Sequence, residues 1–352
     1  MATTDFSMRL ATTKLEEIVT TGTVTEARVR ELATPITIVT ADDIQRLGIT
    51  RVDQLFRGTV PGGVSWDQGT TDYYSTIAVR GGSSLAFNSI KTYVDGVEVA
   101  DNLFVATIDP NSIDRVEILR GPQASAVYGA GAISGVVQIF TKKGRPGAPR
   151  PVIEGRAAVG GIQSDFRDGP ALRQEYNLGV GGGTSGFTYH FEGTLLRRGE
   201  WIPSHSDRRS ALIGGARLVE SGVTADFSLR YETKSFTPGY DLRLRDLGYS
   251  EWLEPPTTRE GWRNRGAGVN LAYHATTWWD HNLTLGFDRY SYTVSDRPTP
   301  TDSALYAQST EYGKESIAYN TTVRANVGES ITTAVTLGGD DYYVANTALA
   351  SA

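Results

Sequence analysis

The sequence predicts an α+β domain followed by antiparallel transmembrane β-barrel strands, about nine of them, which form an incomplete barrel. Residues 1–144 mix helix and strand signals, whereas residues 150–352 alternate apolar and polar side chains over long segments. No window reaches the roughly 18 uninterrupted apolar residues that a transmembrane helix needs, so a membrane-spanning form must use strands. The connections between predicted strands are alternately short and long, which is typical of outer-membrane barrels.

The composition agrees with a β-rich protein that contains many turns. The chain has 352 residues, with 39 glycines, 17 tyrosines and no cysteine. Its net charge is -6 and its basic residues are not clustered, so we expect no nucleic acid as a partner. The first residues lack the basic and apolar regions of a signal peptide. We therefore expect either that export information was removed or that residue 1 lies inside a longer natural sequence.

Three short helices are predicted in the first domain. Thr40 and Thr50 each offer a hydroxyl N-cap with an acid three residues later, and Gly48 ends the first of these helices. Pro122 is expected at the first position of the third helix, where its missing amide costs nothing, and Gly129 ends that helix.

Strands alternate with these helices. The pair Asp95-Gly96 tolerates the positive φ angles of a type I′ turn and predicts a hairpin between Ile90–Val94 and Val97–Val99. Residues 114–119 and 136–140 are predicted as two further strands.

Residues 223–232 show the barrel pattern most clearly, because every odd position is apolar and every even position is polar. Such a strand has one face for lipid and one for a wet interior. The same alternation predicts the other strands, at 152–162, 174–182, 187–192, 209–219, 267–276, 281–294, 317–324 and 331–344. A soluble β-sandwich is the alternative, but its strands are usually shorter.

Loop lengths favour the barrel over the sandwich. Tight turns alternate with long loops, and the long loops are predicted at 163–173, 198–208, 235–265 and 295–313. Up-and-down threading through a membrane predicts this alternation, with short turns on the periplasmic side and long loops outside. Greek-key connections do not predict it.

Ordered motifs connect the first domain with a known family. Residues 77–82, 93–97 and above all 114–129 resemble the plug domain of TonB-dependent receptors, and residues 131–139 resemble its closing strand. The resemblance implies a plug domain and a partial outer-membrane β-barrel in the bacterial cell outer membrane. We place the plug at 31–144 and the barrel strands at 150–352, separated by a Pro- and Gly-rich segment.

Upstream, residues 15–23 resemble the TonB box region of this family. The resemblance implies a box and linker over 15–30, which bind TonB by strand addition through an extended, β-branched segment. The residues expected to bind TonB are Glu17, Ile18, Val19, Thr20 and Thr21. From the residues alone, an ordinary first plug strand remains the alternative. Residues 1–14 resemble the remnant of a small β-domain sometimes placed before the box.

The resemblance also implies a mechanism and its partners. The plug blocks the barrel, a small extracellular ligand binds outside, outer-membrane lipid surrounds the wall, and the TonB complex of the inner membrane pulls the plug open. Arg80, Arg115 and Arg120 match plug arginines that face acidic groups on the barrel wall, since a buried charge needs a partner. Solvated arginines on the plug surface are the alternative.

The expected ligand contacts lie in the long loops. Trp201, Trp252 and Trp262 are surrounded by Arg and Asp residues, a mixture that suits sugar stacking or anionic chelates. The ligand class therefore stays open between a siderophore, cobalamin and a glycan.

An enzyme is not expected, and neither is a cofactor or a metal. The histidines are scattered without paired spacing, no G-x-S-x-G motif occurs, and the Gly129-Ala130-Gly131 segment follows a predicted helix instead of a strand. Family barrels have about 22 strands, so we expect a fragment. The alternative function is a non-transporting barrel remnant or a passive ligand-binding outer-membrane protein.

Overall fold

The structure is a computed structural model, and it describes most of the chain. The described residues are 18–19, 27–28, 36–67, 75–83, 90–102, 105, 108–122, 124–202, 205–237, 259–295, 307–327 and 331–351. The predicted β-domain remnant at 1–14 lies outside them.

Ten strands and four short helices precede residue 142 in the described part of the chain. The strands are β1 (Ile18–Val19), β2 (Ala27–Arg28), β3 (Ile36–Thr40), β4 (Gly63–Asp67), β5 (Ser75–Val79), β6 (Gly82–Ser83), β7 (Ile90–Val94), β8 (Val97–Glu98), β9 (Ile113–Arg120) and β10 (Gly135–Thr141). The α-helices are α1 (Ala41–Arg46) and α2 (Ala124–Tyr128), and the 3-10 helices are Val52–Arg57 and Pro110–Ser112.

A five-stranded mixed sheet organises this domain, with the order β3-β9-β10-β7-β8. Strand β10 is central, since it pairs antiparallel with β9 and parallel with β7. Its side chains Val137 and Ile139 are fully buried, in the same hydrophobic cluster as Leu55 and Phe56 of the first 3-10 helix. Burial on both faces explains why this strand is nearly continuous in apolar residues.

The helix predicted at Thr40 is confirmed, together with its capping box. Thr40 Oγ1 accepts a hydrogen bond from Asp43 N at 3.2 Å, and Asp43 Oδ2 accepts one from Thr40 N at 3.2 Å. Gly48 follows the helix in a left-handed conformation, with φ of 64°. The third helix also forms, but Pro122 lies in the turn before it.

The capping box predicted at Thr50 is wrong. Thr50 N donates instead to Gln54 Oε1 at 2.9 Å. The acid of that box, Asp53, is fully buried and accepts a hydrogen bond from Arg51 Nε at 2.9 Å. Because the carboxylate is engaged by arginine, a 3-10 helix forms there without a side-chain cap.

The second part of the chain forms one antiparallel sheet, and within the described residues it has nine strands in sequential order. They are β11 (Ala148–Ile162), β12 (Ala171–Gly183), β13 (Phe187–Arg198), β14 (Ser206–Glu220), β15 (Val223–Thr237), β16 (Arg259–Thr276), β17 (Trp279–Ser295), β18 (Ala307–Val327) and β19 (Ile331–Ser351). All nine predicted strands are present, and we call this sheet the wall.

Each wall strand is longer than its predicted segment, so the predicted loops were too long. The largest difference is in β16, which begins at residue 259, whereas the sequence placed residues 235–265 in a loop. The hydrogen-bond ladder continues past the apolar band, where both faces carry polar residues and the alternation disappears. Short turns and long connections still alternate as predicted.

The two faces of the wall differ as the alternation predicts. In β15 the odd positions Phe227, Leu229 and Tyr231 are exposed on the outer face. The even positions Arg230 and Glu232 are buried on the inner face. No helix in the described part of the chain is long and apolar enough to cross a membrane.

Candidate functional site

The hairpin β7–β8 is the part of the first domain that is most extensively bound to the wall. Its turn has the predicted type I′ character, because Asp95 and Gly96 have φ angles of 49° and 83°. The buried Asp95 carboxylate accepts hydrogen bonds from Thr141 Oγ1 at 2.6 Å and from Lys143 Nζ at 2.7 Å. These bonds fix the turn on the end of β10.

Glycines in two wall strands make room for this hairpin. A Cβ added to Gly268 or Gly286 would lie 2.7 or 2.2 Å from Val97 Cγ2. Below Val97, Asn270 Nδ2 donates a hydrogen bond to Asp95 O at 2.8 Å. Glycine inside a strand often marks such a close approach, and here it lets the hairpin lie directly on the wall backbone.

A buried charge pair lies at the end of the same hairpin. Ala100 N donates to Asp288 Oδ1 at 2.8 Å, and Arg230 donates to the other oxygen of Asp288. Arg230 Nε also donates to Asn264 Oδ1 at 3.1 Å. Asp288 is 1% exposed and Arg230 is 5% exposed, so each charge depends on the other for compensation.

Two further contacts tie the domain to the wall. Lys314 Nζ donates to Glu98 Oε1 at 2.7 Å, and Lys91 Nζ lies 3.5 Å from Glu98 Oε2. On the opposite side of the domain, Asp109 accepts a hydrogen bond from Thr194 of β13. The domain is thus held from both β13 and the β15–β18 region.

Two of the three predicted arginines, Arg115 and Arg120, have side-chain partners within their own domain. Arg115 Nε donates to Glu117 Oε1 at 2.7 Å, and its guanidinium lies 3.9 Å from the centre of the Phe140 ring. Arg120 Nη1 donates to Pro61 O at 3.2 Å, and burial, with a smaller contribution from Arg80, lowers the pKa of Arg120. Arg80 is exposed, with φ of 50°. Contacts of these arginines with wall acids stay a prediction.

The segment predicted as the TonB box lies only partly within the described residues. Ile18 and Val19 form β1, which pairs antiparallel with β2 through Ile18 opposite Arg28 and Val19 opposite Ala27. Glu17, Thr20 and Thr21 lie outside the described residues.

Aromatic side chains line the inner face of the wall just beyond the hairpin. Phe236, Trp262 and Tyr290 form a buried cluster, with Tyr292 and Tyr312 packed against it. The rings of Trp262 and Tyr290 are 6.3 Å apart, and those of Tyr290 and Tyr312 are 6.5 Å apart. Ala100 of the hairpin also contacts this cluster, which therefore begins where the hairpin ends.

Between the aromatic cluster and the long connections, the inner face of the wall carries charged side chains. Asp207 is paired with Arg198, and its Oδ2 atom lies 3.7 Å from Lys234 Nζ. Arg209 Nη2 lies 3.5 Å from Glu232 Oε1. These five ionisable groups include three cations and two anions, and Glu260 on the same face accepts a hydrogen bond from Tyr292.

His205 adjoins this group, just before β14 begins. Burial lowers its pKa, Asp207 opposes that shift, and Arg198 and Lys234 add to it. Its ring lies 5.5 Å from Trp201 in an edge-to-face arrangement. Burial therefore favours the neutral form of this histidine.

The three tryptophans predicted to contact the ligand differ in where they lie. Trp201 lies in the connection between β13 and β14, and its buried Nε1 atom has no hydrogen-bond partner among the described residues. Trp262 was predicted in a loop, which is wrong: it lies in β16, is 3% exposed and faces the interior. Trp252 lies outside the described residues. The described part of the chain holds no group of three acids, histidines or cysteines that could bind a metal ion.

The hairpin contacts and the buried Arg230–Asp288 pair were not predicted from the sequence. Two signals were present in the sequence. Gly268 and Gly286 interrupt strands, and charged residues occupy inward positions in the middle of strands. Both signals point to a neighbour on that face, but neither identifies it.

Comparisons with known proteins agree with this arrangement. The family model described as TonB-dependent Receptor Plug Domain matches residues 28–136. The rhizobactin receptor of Rhizobium meliloti (strain 1021) is 33% identical over 263 residues, which are 70% of this chain and 33% of that protein.

Solved receptors have the same fold. The unliganded ferric citrate transporter FecA has a TM-score of 0.72 at 16% identity, covering 92% of this chain and 49% of that one. The ferripyoverdine receptor of the outer membrane of Pseudomonas aeruginosa has a TM-score of 0.69 at 15% identity, covering 97% and 47%.

This chain thus spans a third of the rhizobactin receptor and about half of each solved receptor. The first domain matches the plug family model, and the wall, which packs around that domain, is part of a fold shared with these receptors. The chain belongs to the TonB-dependent receptors of the bacterial outer membrane, with a plug domain followed by strands of the receptor barrel.

Proposed function

We propose that the receptor takes up an anionic ferric siderophore across the outer membrane, with the plug gating the barrel and the TonB complex supplying the movement. Similar proteins include a rhizobactin receptor, a ferripyoverdine receptor and a ferric citrate transporter. The observation that carries the proposal is the aromatic and cationic lining of the inner wall beyond the hairpin.

That lining suits a chelate with a negative charge and flat groups. Lys234, Arg198 and Arg209 place three cations on this face beside the acids Asp207, Glu232 and Glu260. A cation attracts a negatively charged ligand group more strongly where water is partly excluded. Aromatic rings supply large contact areas for flat ligand groups. A neutral glycan could stack on the same rings but would gain little from the buried cations, so we favour the siderophore over the glycan and over cobalamin.

We assign the ligand contacts to Trp201 and Trp262, together with Trp252 of the predicted extracellular loop. Trp262 contributes its ring, and Trp201 offers its unsatisfied indole N–H as a hydrogen-bond donor. The open donor on Trp201 supports a polar ligand atom beside it.

TonB coupling is assigned to Glu17, Ile18, Val19, Thr20 and Thr21. Ile18 and Val19 already have strand geometry in β1, which supports recognition by strand addition. In this proposal β1 exchanges its pairing with β2 for pairing with a TonB strand. Arg80, Arg115 and Arg120 remain proposed wall contacts of the plug.

The test measures binding and uptake separately. Cells that express the receptor are given radioactive iron as its rhizobactin, pyoverdine or citrate complex, in the cold for binding and at growth temperature for uptake. Lys234→Met is expected to weaken cold binding of the preferred chelate about tenfold or more, since one charge-assisted contact is lost. Arg150→Gln, at an exposed position on the opposite end of the wall, is the matched control.

Val19→Pro separates transport from passive binding. Proline removes an amide and disrupts strand pairing, so uptake should stop while cold binding persists. Uptake that continues in Val19→Pro cells would support the passive ligand-binding alternative. Equal binding by Lys234→Met and the unchanged receptor would overturn the assignment of the ligand surface.

A further inference from the structure

A polar cavity of about 310 Å³ lies between the plug and strands β11–β13 of the wall. On the plug side it is lined by Gln45 of α1, by Thr50 and by Asn111. On the wall side it is lined by four polar or charged residues at inward positions, namely Glu154, Arg156, Asn177 and Glu192. The cavity is therefore a gap along one flank of the plug.

One inward row of the wall connects this cavity with the aromatic cluster. From β11 to β18 the row contains, in register, Arg156, Asn177, Thr194, Ala211, Glu232, Asn264, Tyr290 and Tyr312. Arg156 and Asn177 line the cavity, whereas Tyr290 and Tyr312 lie in the aromatic cluster. The cavity therefore adjoins the proposed ligand surface along the wall.

The opposite flank of the plug is seated more closely on the wall. There Val97 lies so near to β16 that a Cβ added to Gly268 would be 2.7 Å from its Cγ2 atom. Three hydrogen bonds reinforce this contact, through Asp95, Glu98 and Ala100. Between α1 and β12, by contrast, the cavity leaves open space.

Glycines leave room on the wall beside the cavity. Gly179 and Gly181 occupy inward positions of β12, which leads to the short turn before β13. A Cβ added to them would lie 3.4 Å from His190 Cε1 and 2.7 Å from His190 Nδ1, respectively. The histidine ring therefore lies close to the backbone of β12, with its Nε2 atom 3.1 Å from Glu192 Oε2. It fills less of the space between plug and wall as a result.

The charges that line the cavity are balanced. The ionisable side chains among its lining residues are two acids, Glu154 and Glu192, and two bases, Lys142 and Arg156. Such a lining does not hold an anionic chelate tightly, which suits a passage, because a tightly bound ligand leaves slowly. The volume is near the lower end of the roughly 300–1,000 Å³ of small-ligand sites. The cavity must therefore widen before a bulky chelate can pass.

The plug elements that border the cavity are close in sequence to the predicted TonB box. Strand β3 is at the edge of the plug sheet, where it pairs with β9, and α1 begins directly after it. A pull on the box therefore reaches β3 and α1 before it reaches the hairpin. An edge strand has one neighbour, so its displacement breaks fewer hydrogen bonds than displacement of a central strand.

We propose that the transported chelate passes through this cavity, which widens between α1 and β11–β13 while the hairpin stays seated on the wall. The inference rests on the proposed function, because it names the route that the transported ligand takes past the plug. The polar lining offers hydrogen bonds, direct or through water, to the ligand on its way.

The test holds each flank of the plug closed in turn, in cells that express the receptor. Gln45→Cys/Asn177→Cys places one thiol on each side of the cavity, and the sequence has no cysteine of its own. A cleavable bismaleimide long enough to cross the cavity joins the two thiols, and mass spectrometry confirms the link. Uptake of radioactive iron, given as the rhizobactin, pyoverdine or citrate complex, should stop while cold binding persists. Reductive cleavage of the link should restore uptake.

The matched control ties down the hairpin instead. Val97→Cys/Gly268→Cys forms a disulfide where the two residues already touch, and uptake should continue with that disulfide closed.

A second pair of variants changes only the bulk at the cavity. Arg156→Trp fills part of the cavity and should slow uptake without weakening cold binding. Ala157→Trp, at the next residue and on the outer face, should leave uptake unchanged. Thermal melting identifies any variant that fails to fold.

Three results would each overturn this route: uptake through the cross-linked cavity, loss of uptake with the hairpin disulfide, or equal uptake by Arg156→Trp and Ala157→Trp. Failure of the two thiols at positions 45 and 177 to react with one reagent would contradict the cavity itself. If the unchanged receptor took up none of the three chelates, the proposed function would be wrong, which is a different outcome from uptake that ignores the cross-link.

Discussion

The two faces of β15, β16 and β17 share one backbone but meet different surroundings. The outer face presents apolar residues such as Phe227 and Phe287, which need only be apolar because lipid adapts to their shape. The inner face is complementary to particular groups of the plug. Gly286 leaves space for the Val97 side chain, and Asp288 accepts a hydrogen bond from the backbone N–H of Ala100. Substitutions should therefore be judged by chemistry on the outer face and by both shape and chemistry on the inner face.

The largest effect is expected from Asp288→Ala. It leaves Arg230 buried without its carboxylate and removes the acceptor of Ala100 N, so the free energy of unfolding should fall by about 3–5 kcal/mol. Guanidinium unfolding of the receptor in lipid vesicles measures this change.

The matched control removes both charges together. Arg230→Met with Asp288→Leu leaves no uncompensated ion, so it should recover much of the stability lost in Asp288→Ala. If the double variant were as unstable as the single one, packing against the hairpin would matter more than the charge pair. An Asp288→Ala variant of unchanged stability would contradict this account of the inner face.

Charge placed on the outer face should have the next largest effect. Phe227→Lys puts an ammonium within the apolar band and should cost about 2–4 kcal/mol, whereas Phe227→Leu keeps the chemistry and should cost less than about 1.5 kcal/mol. Thr237→Lys, at the polar end of the same strand, is the control for depth and should cost at most about 1 kcal/mol. Equal costs at the two positions in vesicle unfolding would show that Phe227 does not face lipid.

The difference between the faces also explains what the sequence could predict. All nine wall strands were predicted, because alternation reports which face meets lipid and does not depend on a partner. The predicted strands were too short, and Trp262 was assigned to a loop. Beyond the apolar band both faces are polar, so the sequence no longer shows which side chains face the interior. The helix at Thr40 was predicted because its cap uses residues three positions apart.

The long-range contacts of the inner face could not be predicted from the sequence. Asp288 and Ala100 are far apart in the chain, and their contact depends on how the plug is seated. The capping box predicted at Thr50 failed for a different reason, because Asp53 is buried and its carboxylate binds the nearby Arg51 instead of the backbone of Thr50. The family resemblance predicts wall contacts for Arg80, Arg115 and Arg120, whereas among the described residues most contacts between plug and wall are made by the hairpin.

A smaller effect is expected where shape alone changes on the inner face. Gly286→Ala adds a Cβ that would lie 2.2 Å from Val97 Cγ2, so the hairpin must shift, at a cost of about 1–3 kcal/mol in unfolding free energy. Val97→Ala should recover part of this cost in a double-mutant cycle; the recovery is partial because Ala267 O is also only 2.9 Å away. Gly339→Ala, where nothing lies within 4 Å, is the control. Absence of coupling between positions 97 and 286 would contradict the seating of the hairpin.

The smallest expected difference compares two ion pairs of equal length on opposite faces. Lys314–Glu98 and Arg289–Glu315 both measure 2.7 Å, but the first pair is 15% and 11% exposed and the second is 47% and 54% exposed. Glu98→Gln leaves Lys314 and Lys91 without their shared anion and should cost about 1–2 kcal/mol. Glu315→Gln should change the unfolding free energy by less than about 0.5 kcal/mol, because solvent screens an exposed pair. Equal losses in vesicle unfolding would mean that the plug contributes no special burial to Glu98, and the contrast between the two faces would then rest on shape alone.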